Sequence, residues 1–219
     1  MDVLYYIGCG SHHNNDELRY SLRSLHQHCQ DVDRVFVVGN KPAFLRNVQY
    51  LWVEDKFEWW RNAFEKTKAA INAGISDEFL LMNDDFFMTS DFKAAKYPFY
   101  HRGEMPSVAQ NKYQEVIVQT KKILQGLNAS LFHYGVHCPI RIEAKKYLEL
   151  EKYFTHPVSA RCLYGNLFCK GIRTDDNKGT ILKNSKQKCF SSADWAGEDT
   201  FEALKKLFDQ PSRWEEENV

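Results

Sequence analysis

The segment FLLMNDDFFM (79–88) places two adjacent carboxylates, Asp84 and Asp85, between apolar runs. Burying one unpaired carboxylate is costly, and two side by side repel. A divalent cation shared by the pair would remove the conflict. So would a strand that ends in a solvated acidic turn. The motif alone leaves both arrangements open.

Other residues could serve the same chemistry. Hard ions such as Mg²⁺ and Mn²⁺ bind carboxylate and diphosphate oxygens together, and they neutralise charge on a departing phosphate. Arg19 and Arg23, in ELRYSLRS, are four apart on one helix face. Two guanidiniums so placed suit a phosphate or a carboxylate, and surface salt bridges are the plainer use for them. His133 and His137, in HYGVHCPIRIE, are also four apart, but Gly135 and Pro139 disfavour the helix a zinc pair would need. His137, just before the strand-like CPIRI, could instead be a general base facing a crevice, or a hydrogen-bonded structural residue. Arg161 lies in an apolar stretch and calls for an anionic partner, either a structural Asp or Glu or a substrate phosphate. Exposure accounts for His12 and His13.

These side chains need elements to position them. VLYYIGCGS reads as a buried strand, Val3 to Ile7, that enters a Gly-rich turn. Capping residues then precede a helix with Leu18, Leu22 and Leu25 on one face. RVFVVGN (34–40) and VQYLWVED (48–55) read as strands. Trp60, Phe64, Thr67 and Ile71 mark a helix over about 57–73, stopped near Gly74. EFLLM is the next strand. This order predicts an α/β layered domain with a largely parallel sheet. Its ligand crevice belongs at the carboxyl ends of the strands, where the turns holding Gly10 and Ser11, VGNKP and Asn83-Asp84-Asp85 all fall. Further helices are expected over 112–127, 143–154 and 198–211, with polar turns at 175–180 and 184–188.

Composition sets outer limits. The chain has 219 residues, 43% hydrophobic and 14% aromatic, enough for one substantial core. Lys+Arg and Asp+Glu are both 29, so no general affinity for nucleic acid or a membrane surface is expected. No apolar run reaches the roughly 20 residues of a membrane span. The N-terminus has no basic export region, and none of the six cysteines forms a C-x-x-C pair. Free thiols and a cytoplasmic location are the expectation.

Several blocks also match a known pattern in order. NNDELRYSLRSL (14–25) resembles D-x-D/N-E-L-R-Y-S-L-R-S, and DEFLLMNDDFFM (77–88) resembles F-L-Y-L-N-D-D-V-F-F. HCPIRIEAKKYLELEKYF (137–154) with SARCLYGN (159–166) is similar to a block that starts at a His and ends near an Arg. AGEDTFEALKKLFDQPSRWE (196–215) is similar to one closing in P-S-x-F-E, with Trp214 in place of the Phe. These are blocks of the Stealth family of sugar-phosphate transferases, which the chain resembles along nearly its whole length. The resemblance implies a glycosyltransferase-A-like α/β domain, with a mostly parallel sheet flanked by helices. It implies one catalytic domain over 1–219, with a nucleotide-sugar and metal half at 1–95 and an acceptor-side half at 96–219. It further implies metal-dependent transfer of a sugar 1-phosphate from a nucleotide sugar, such as a UDP-sugar, to the hydroxyl of a carbohydrate or other acceptor. Asp84 and Asp85 would hold Mg²⁺ or Mn²⁺. Arg19, Arg23 and Arg161 would neutralise phosphate oxygens, and His137 would be the base. Asp16 would orient Arg19 or contact the donor, alongside Asn83, Gly10 and Ser11. Two rivals remain: a glycosyltransferase that moves the sugar alone, and a non-catalytic sugar-nucleotide or glycan-binding module.

Overall fold

The structure is a computed structural model of the chain. The residues it describes are 1–8, 11, 13–176, 178, 187–192 and 197–216. Gly10, and residues 177, 179, 180 and 184–186 of the two polar turns, lie outside the described residues.

The first part of the chain alternates as its periodicities predict. It runs β1 (Asp2–Ile7), α1 (Asp16–His28), β2 (Val35–Gly39), β3 (Gln49–Leu51), α2 (Trp59–Asn72) and β4 (Glu78–Met82). There follow β5 (Phe86–Met88), β6 (Tyr100–His101), α3 (Lys112–Gly126), β7 (Ile140–Glu143), α4 (Ala144–Leu148), α5 (Ala160–Phe168), β8 (Ile172–Arg173), β9 (Cys189–Ser191) and α6 (Glu198–Leu207). The central sheet has the order β3-β2-β1-β4-β7. The first four are parallel, with Val3 opposite Val35 and Leu80, and β7 runs antiparallel along β4 with Ile140 opposite Leu81. The α/β fold with a mostly parallel, helix-flanked sheet is therefore the one expected.

Strand alternation divides the core into two layers. Val3, Tyr5 and Ile7 pack with Leu18, Leu22 and Leu25 of α1 on one face. Leu4, Phe36, Leu81 and Ile140 pack with Phe64 of α2 and Ile117 and Leu124 of α3 on the other. Each helix thus turns its apolar stripe to the sheet, as helical spacing requires. Gly39, at φ +117°, closes β2 against β1: a Cβ there would stand 2.1 Å from the Ile7 carbonyl oxygen. That close approach lets Lys66 of α2 donate to the same oxygen at 2.7 Å while it pairs with Asp55 at 2.6 Å.

The second part departs from expectation in specific places. The helix expected over 143–154 is cut to Ala144–Leu148, continued by a 3₁₀ turn at Glu149–Tyr153, because Glu143 is taken into β7. The helix α5 has no strong sequence signature, since Gly165 and Asn166 lie within it. Its start is set by the Ser159 side chain, which accepts from the Cys162 amide at 3.2 Å. Its glycine is required by packing, because a Cβ on Gly165 would fall 2.2 Å from the Tyr134 ring. The pairs β5–β9 and β6–β8 join segments far apart in sequence, and no local pattern announces them.

Arg19 and Arg23, which the resemblance assigns to phosphate oxygens, meet an internal carboxylate. Arg23 grips the buried Glu215 with Nε at 3.0 and 3.1 Å and Nη2 at 2.8 Å, and its Nη1 donates to the Phe208 carbonyl. Arg19 Nη1 lies 3.6 Å from the same carboxylate, over the Phe44 ring. Glu215 also accepts from the Ser212 amide and hydroxyl. The physical reason is burial: Glu215 is 1% exposed and must be neutralised by whatever cations reach it. The pair therefore ties α1 to the C-terminal segment. Arg23→Ala should cost on the order of 3 kcal/mol in urea unfolding, because it strands a buried charge. Arg23→Ala/Glu215→Ala should lose less than the sum of the two single losses. Additive losses would mean that the pair does not act as a unit.

Candidate active site

The chain goes from β1 to β2 on one side and returns to β4 on the other. The order reverses between β1 and β4, and a doubly wound sheet opens its crevice at the carboxyl ends of those two strands. The Asn83-Asp84-Asp85 turn follows β4 directly. Phe86 N–H closes the turn on the Asn83 carbonyl at 3.3 Å, and Tyr6 donates its hydroxyl to Asn83 Oδ1 at 2.9 Å. Two serines of α1 hold the far side. Ser21 donates to the Phe86 carbonyl at 2.5 Å, and Ser24 accepts from the Met88 amide at 2.9 Å. The turn is thus held from β1, and the strand β5 that leaves it is held from α1.

Burial first, then the neighbouring charge of Asp85, then Glu17, push the Asp84 carboxyl up to about 7. Burial also raises Asp85, against the hydrogen bond from Ser191 and the positive charge of His137 and Lys178. Ser191 Oγ donates to Asp85 Oδ2, while Asp85 Oδ1 is buried with no hydrogen-bond partner among the described residues. An orphaned carboxylate oxygen beside a second carboxylate fits a hard divalent cation. Among the described residues no group of three or more His, Cys, Asp or Glu side chains converges on one point. The rest of such an ion's shell would come from ligand oxygens and water.

Across the crevice, His137 Nδ1 lies 2.8 and 3.0 Å from the two oxygens of Asp176, whose Oδ1 also accepts the His137 amide at 3.2 Å. Burial would raise Asp176, but the His137 hydrogen bond and charge, with Arg102, bring it down to about 2. Asp176 is therefore an ionised acceptor, which places the proton on Nδ1 and leaves Nε2 as a base. Arg102 bridges Asp176 at 3.0 Å and His133 Nε2 at 2.8 Å. His133 is buried, and desolvation followed by the Arg102 charge lowers it to about 4. It is a neutral structural histidine.

A cavity of about 310 Å³ receives Asn83, His137 and Arg161 together. Arg161 starts α5, and it donates to the carbonyls of Tyr134 at 2.8 Å and of Cys138. No carboxylate pairs with it among the described residues, so the anionic partner expected for it is not a structural Asp or Glu there. Arg19 and Arg23 do not line this cavity. Asp16 pairs with Arg19 at 3.2 Å, the first of its two expected roles. Ser11 accepts from the His13 and Asn15 amides and donates to Glu17, which makes it part of the turn that opens α1. Gly10 lies outside the described residues.

Sequence reading missed Asp176, Tyr6 and Ser191. Asp176 stands in a polar turn 39 positions after His137, and only tertiary folding brings them together. Tyr6 looked like core, which its ring is. The five described cysteines, Cys29, Cys138, Cys162, Cys169 and Cys189, are free thiols. No described helix is long and apolar enough to cross a membrane.

No protein-family model matches the chain, and no curated protein matches its sequence. The fold is shared with solved structures. The chain is similar to the galactosyltransferase LgtC in complex with donor and acceptor sugar analogues, with a TM-score of 0.52 and 12% identity, over 96% of each chain. It is similar also to a structure of LgtC with one active-site residue substituted, with a TM-score of 0.50 and 12% identity, over 94% of this chain and 95% of that one. The glycosyltransferase-A-like fold is thus the fold found.

The electrostatics of the turn have a measurable sign. Folded Asp84 holds its proton to about 7, whereas the unfolded chain releases it near 3.8. Between those values the folded state binds more protons, so stability falls as pH rises through that window. Thermal melts in EDTA should show this decline in the wild type and a shallower one in Asp84→Asn. Added Mn²⁺ should raise the wild-type melting temperature above pH 7 but not that of the variant. Identical pH slopes in the two proteins would return the turn to a solvated acidic loop.

Proposed function

We propose that this protein is a metal-assisted transferase that takes a nucleotide sugar as donor and an acceptor hydroxyl as nucleophile. The observation that carries the reading is the Asp84–Asp85 pair, with its orphaned Oδ1, at the switch point of a fold shared with a galactosyltransferase. Asp84 and Asp85 would hold Mg²⁺ or Mn²⁺, which supplies neutralisation of the donor diphosphate. Tyr6 fixes Asn83 at the edge of the same site. The domain is read as one catalytic unit over 1–219, with donor contacts from 1–95 and acceptor contacts from 96–219. A cytoplasmic setting suits its free thiols.

Between the two transfer chemistries we favour movement of the sugar 1-phosphate. Phosphoryl transfer needs a base for the acceptor hydroxyl and a fixed cation at the equatorial oxygens of the moving phosphorus. His137 and Arg161 share a cavity wall and meet both needs. The acceptor oxygen bonds to the β-phosphorus, and its proton passes to His137 Nε2. The bond from that phosphorus to the bridging oxygen breaks, and a nucleoside monophosphate leaves. Arg161 can stay on the phosphoryl oxygens throughout because backbone carbonyls hold its other edge. Asp176 keeps the imidazole in the required tautomer and stabilises the imidazolium. Transfer of the sugar alone is the second reading, favoured by the fold shared with LgtC. The resemblance to Stealth sequences favours the first.

Incubation with a panel of nucleotide sugars, Mn²⁺ and hydroxyl acceptors decides between them by mass. A nucleoside monophosphate product supports phosphosugar transfer, and a diphosphate product supports glycosyl transfer. Donor binding without consumption of any donor would leave only a binding module. In the active pair, His137→Ala should lower kcat by at least about 10²-fold with donor affinity nearly unchanged. His133→Ala should act through stability instead. Asp176→Asn should lower kcat and move the acidic limb of the pH profile downward, because the imidazolium loses its anionic partner. A variant profile superimposable on wild type would reduce Asp176 to a structural role.

A further inference from the structure

The cavity beside His137 has its charged groups at one end only, and the hydroxyls of Tyr147 and Ser159 that also line it are engaged by Thr67 and by the Cys162 amide. Asn83, His137 and Arg161 stand at its head, next to the acidic turn. Below them the sheet contributes Leu81, Ile140 and Ile142, and Val158 faces them from the loop before α5. The register measures the gradient. Ile140 lies opposite Leu81, and Ile142 lies opposite Phe79, four residues before Asn83. At about 3.3 Å per residue, the cavity runs roughly 13 Å along the strands from its polar head to its apolar foot. Ala63 and Trp60 of α2 cover this stretch. At the rim Trp59 and Tyr113 stack with ring centroids 5.8 Å apart, and both are exposed, at 48% and 38%.

That gradient selects a ligand. A bare sugar lowered among Leu81, Ile140 and Ile142 would leave its hydroxyls unpaired, which is costly for each one. A wholly apolar molecule would leave the Arg161 charge and His137 Nε2 without a partner. An amphipathic hydroxyl compound satisfies both ends. We propose that this cavity is the acceptor site and that the acceptor carries its reactive hydroxyl on an alkyl or aryl body. The hydroxyl meets His137 Nε2 under Arg161, and the body lies along Leu81, Ile140 and Ile142. The Trp59–Tyr113 stack holds whatever part emerges at the rim. The word acceptor rests on the transferase reading above; the amphipathic chemistry of the cavity does not.

The test is equilibrium binding of monomeric methyl, hexyl and octyl β-glucosides to the full chain, beside binding of a nucleotide sugar with Mn²⁺. Each methylene that enters an apolar site strengthens binding about fourfold. Octyl glucoside should therefore bind at least about 10-fold tighter than methyl glucoside. Ala63→Leu keeps a strong helix former and adds bulk to the cavity wall, and it should cancel most of that gain while donor affinity stays within about twofold. Trp59→Ala, at an exposed position, serves as a second variant and should weaken octyl glucoside binding without changing the melting temperature. Equal affinities along the alkyl series, or an undiminished gain in both variants, overturn the proposal. If the alkyl gain is present and cancelled by Ala63→Leu but no donor is ever consumed, the cavity is an amphiphile site and the transferase reading fails instead.

Discussion

Asp84 and Asp85 are neighbours in sequence, partly buried, and without an ion pair among the described residues. In a medium poorer than water such a pair resists carrying two charges, and Asp84 keeps its proton to about 7. The surrounding structure answers that repulsion with rigidity. Tyr6 and Asn83 fix the start of the turn, Ser21 and Ser24 fix β5 after it, and Ser191 of β9 takes one Asp85 oxygen. What these contacts leave is a carboxylate pair with one oxygen, Asp85 Oδ1, unsatisfied among the described residues. Strain kept at a site and paid for by the scaffold is a common arrangement where ligand binding is the function.

The surroundings of His137 and Arg161 use the opposite arrangement. There each charged group is held by several partners before a ligand arrives. Asp176 holds His137, Arg102 holds Asp176 and touches His133, and the carbonyls of Tyr134 and Cys138 hold Arg161. Groups fixed in this way need little reorganisation when charge develops beside them. The two sides meet at Asn83, which lines the same cavity as His137 and Arg161 and begins the acidic turn. An acidic pair with one unsatisfied oxygen and a firmly held imidazole and guanidinium thus lie at the same end of the sheet, joined by Asn83 at the edge of the cavity.

The helix α1 shows how a motif can be specific through structural demands alone. In ELRYSLRS the leucine Leu22 fills the core and the serines pin the acidic turn. The arginines close on Glu215, 192 positions beyond Arg23. Each of these positions has a structural use. Such a block is as constrained as a catalytic one, because changing them disturbs the core, the Asp84–Asp85 turn or a buried ion pair.

Local pattern by itself determined the order β1–α1–β2–β3–α2–β4, the core faces of α1 and α2, and the placing of Asn83-Asp84-Asp85 at a strand end. These follow from period, turn residues and right-handed crossover, all of which act over short stretches of chain. The same reasoning put His137 and Arg161 among candidate site residues, since a histidine before a Pro-fixed strand and an arginine in apolar sequence each need a partner. Which partner was beyond it. That Arg19 and Arg23 meet Glu215, that Asp176 meets His137, and that Ser191 meets Asp85 were decided only by tertiary structure. So were the short pairs β5–β9 and β6–β8 and the polar-to-apolar cavity. The physical reason is common to all of them. Charges and hydrogen bonds act over a few ångströms whatever the separation along the chain, and a carboxylate in a polar turn carries no local mark of the imidazole it will meet once the sheet has closed.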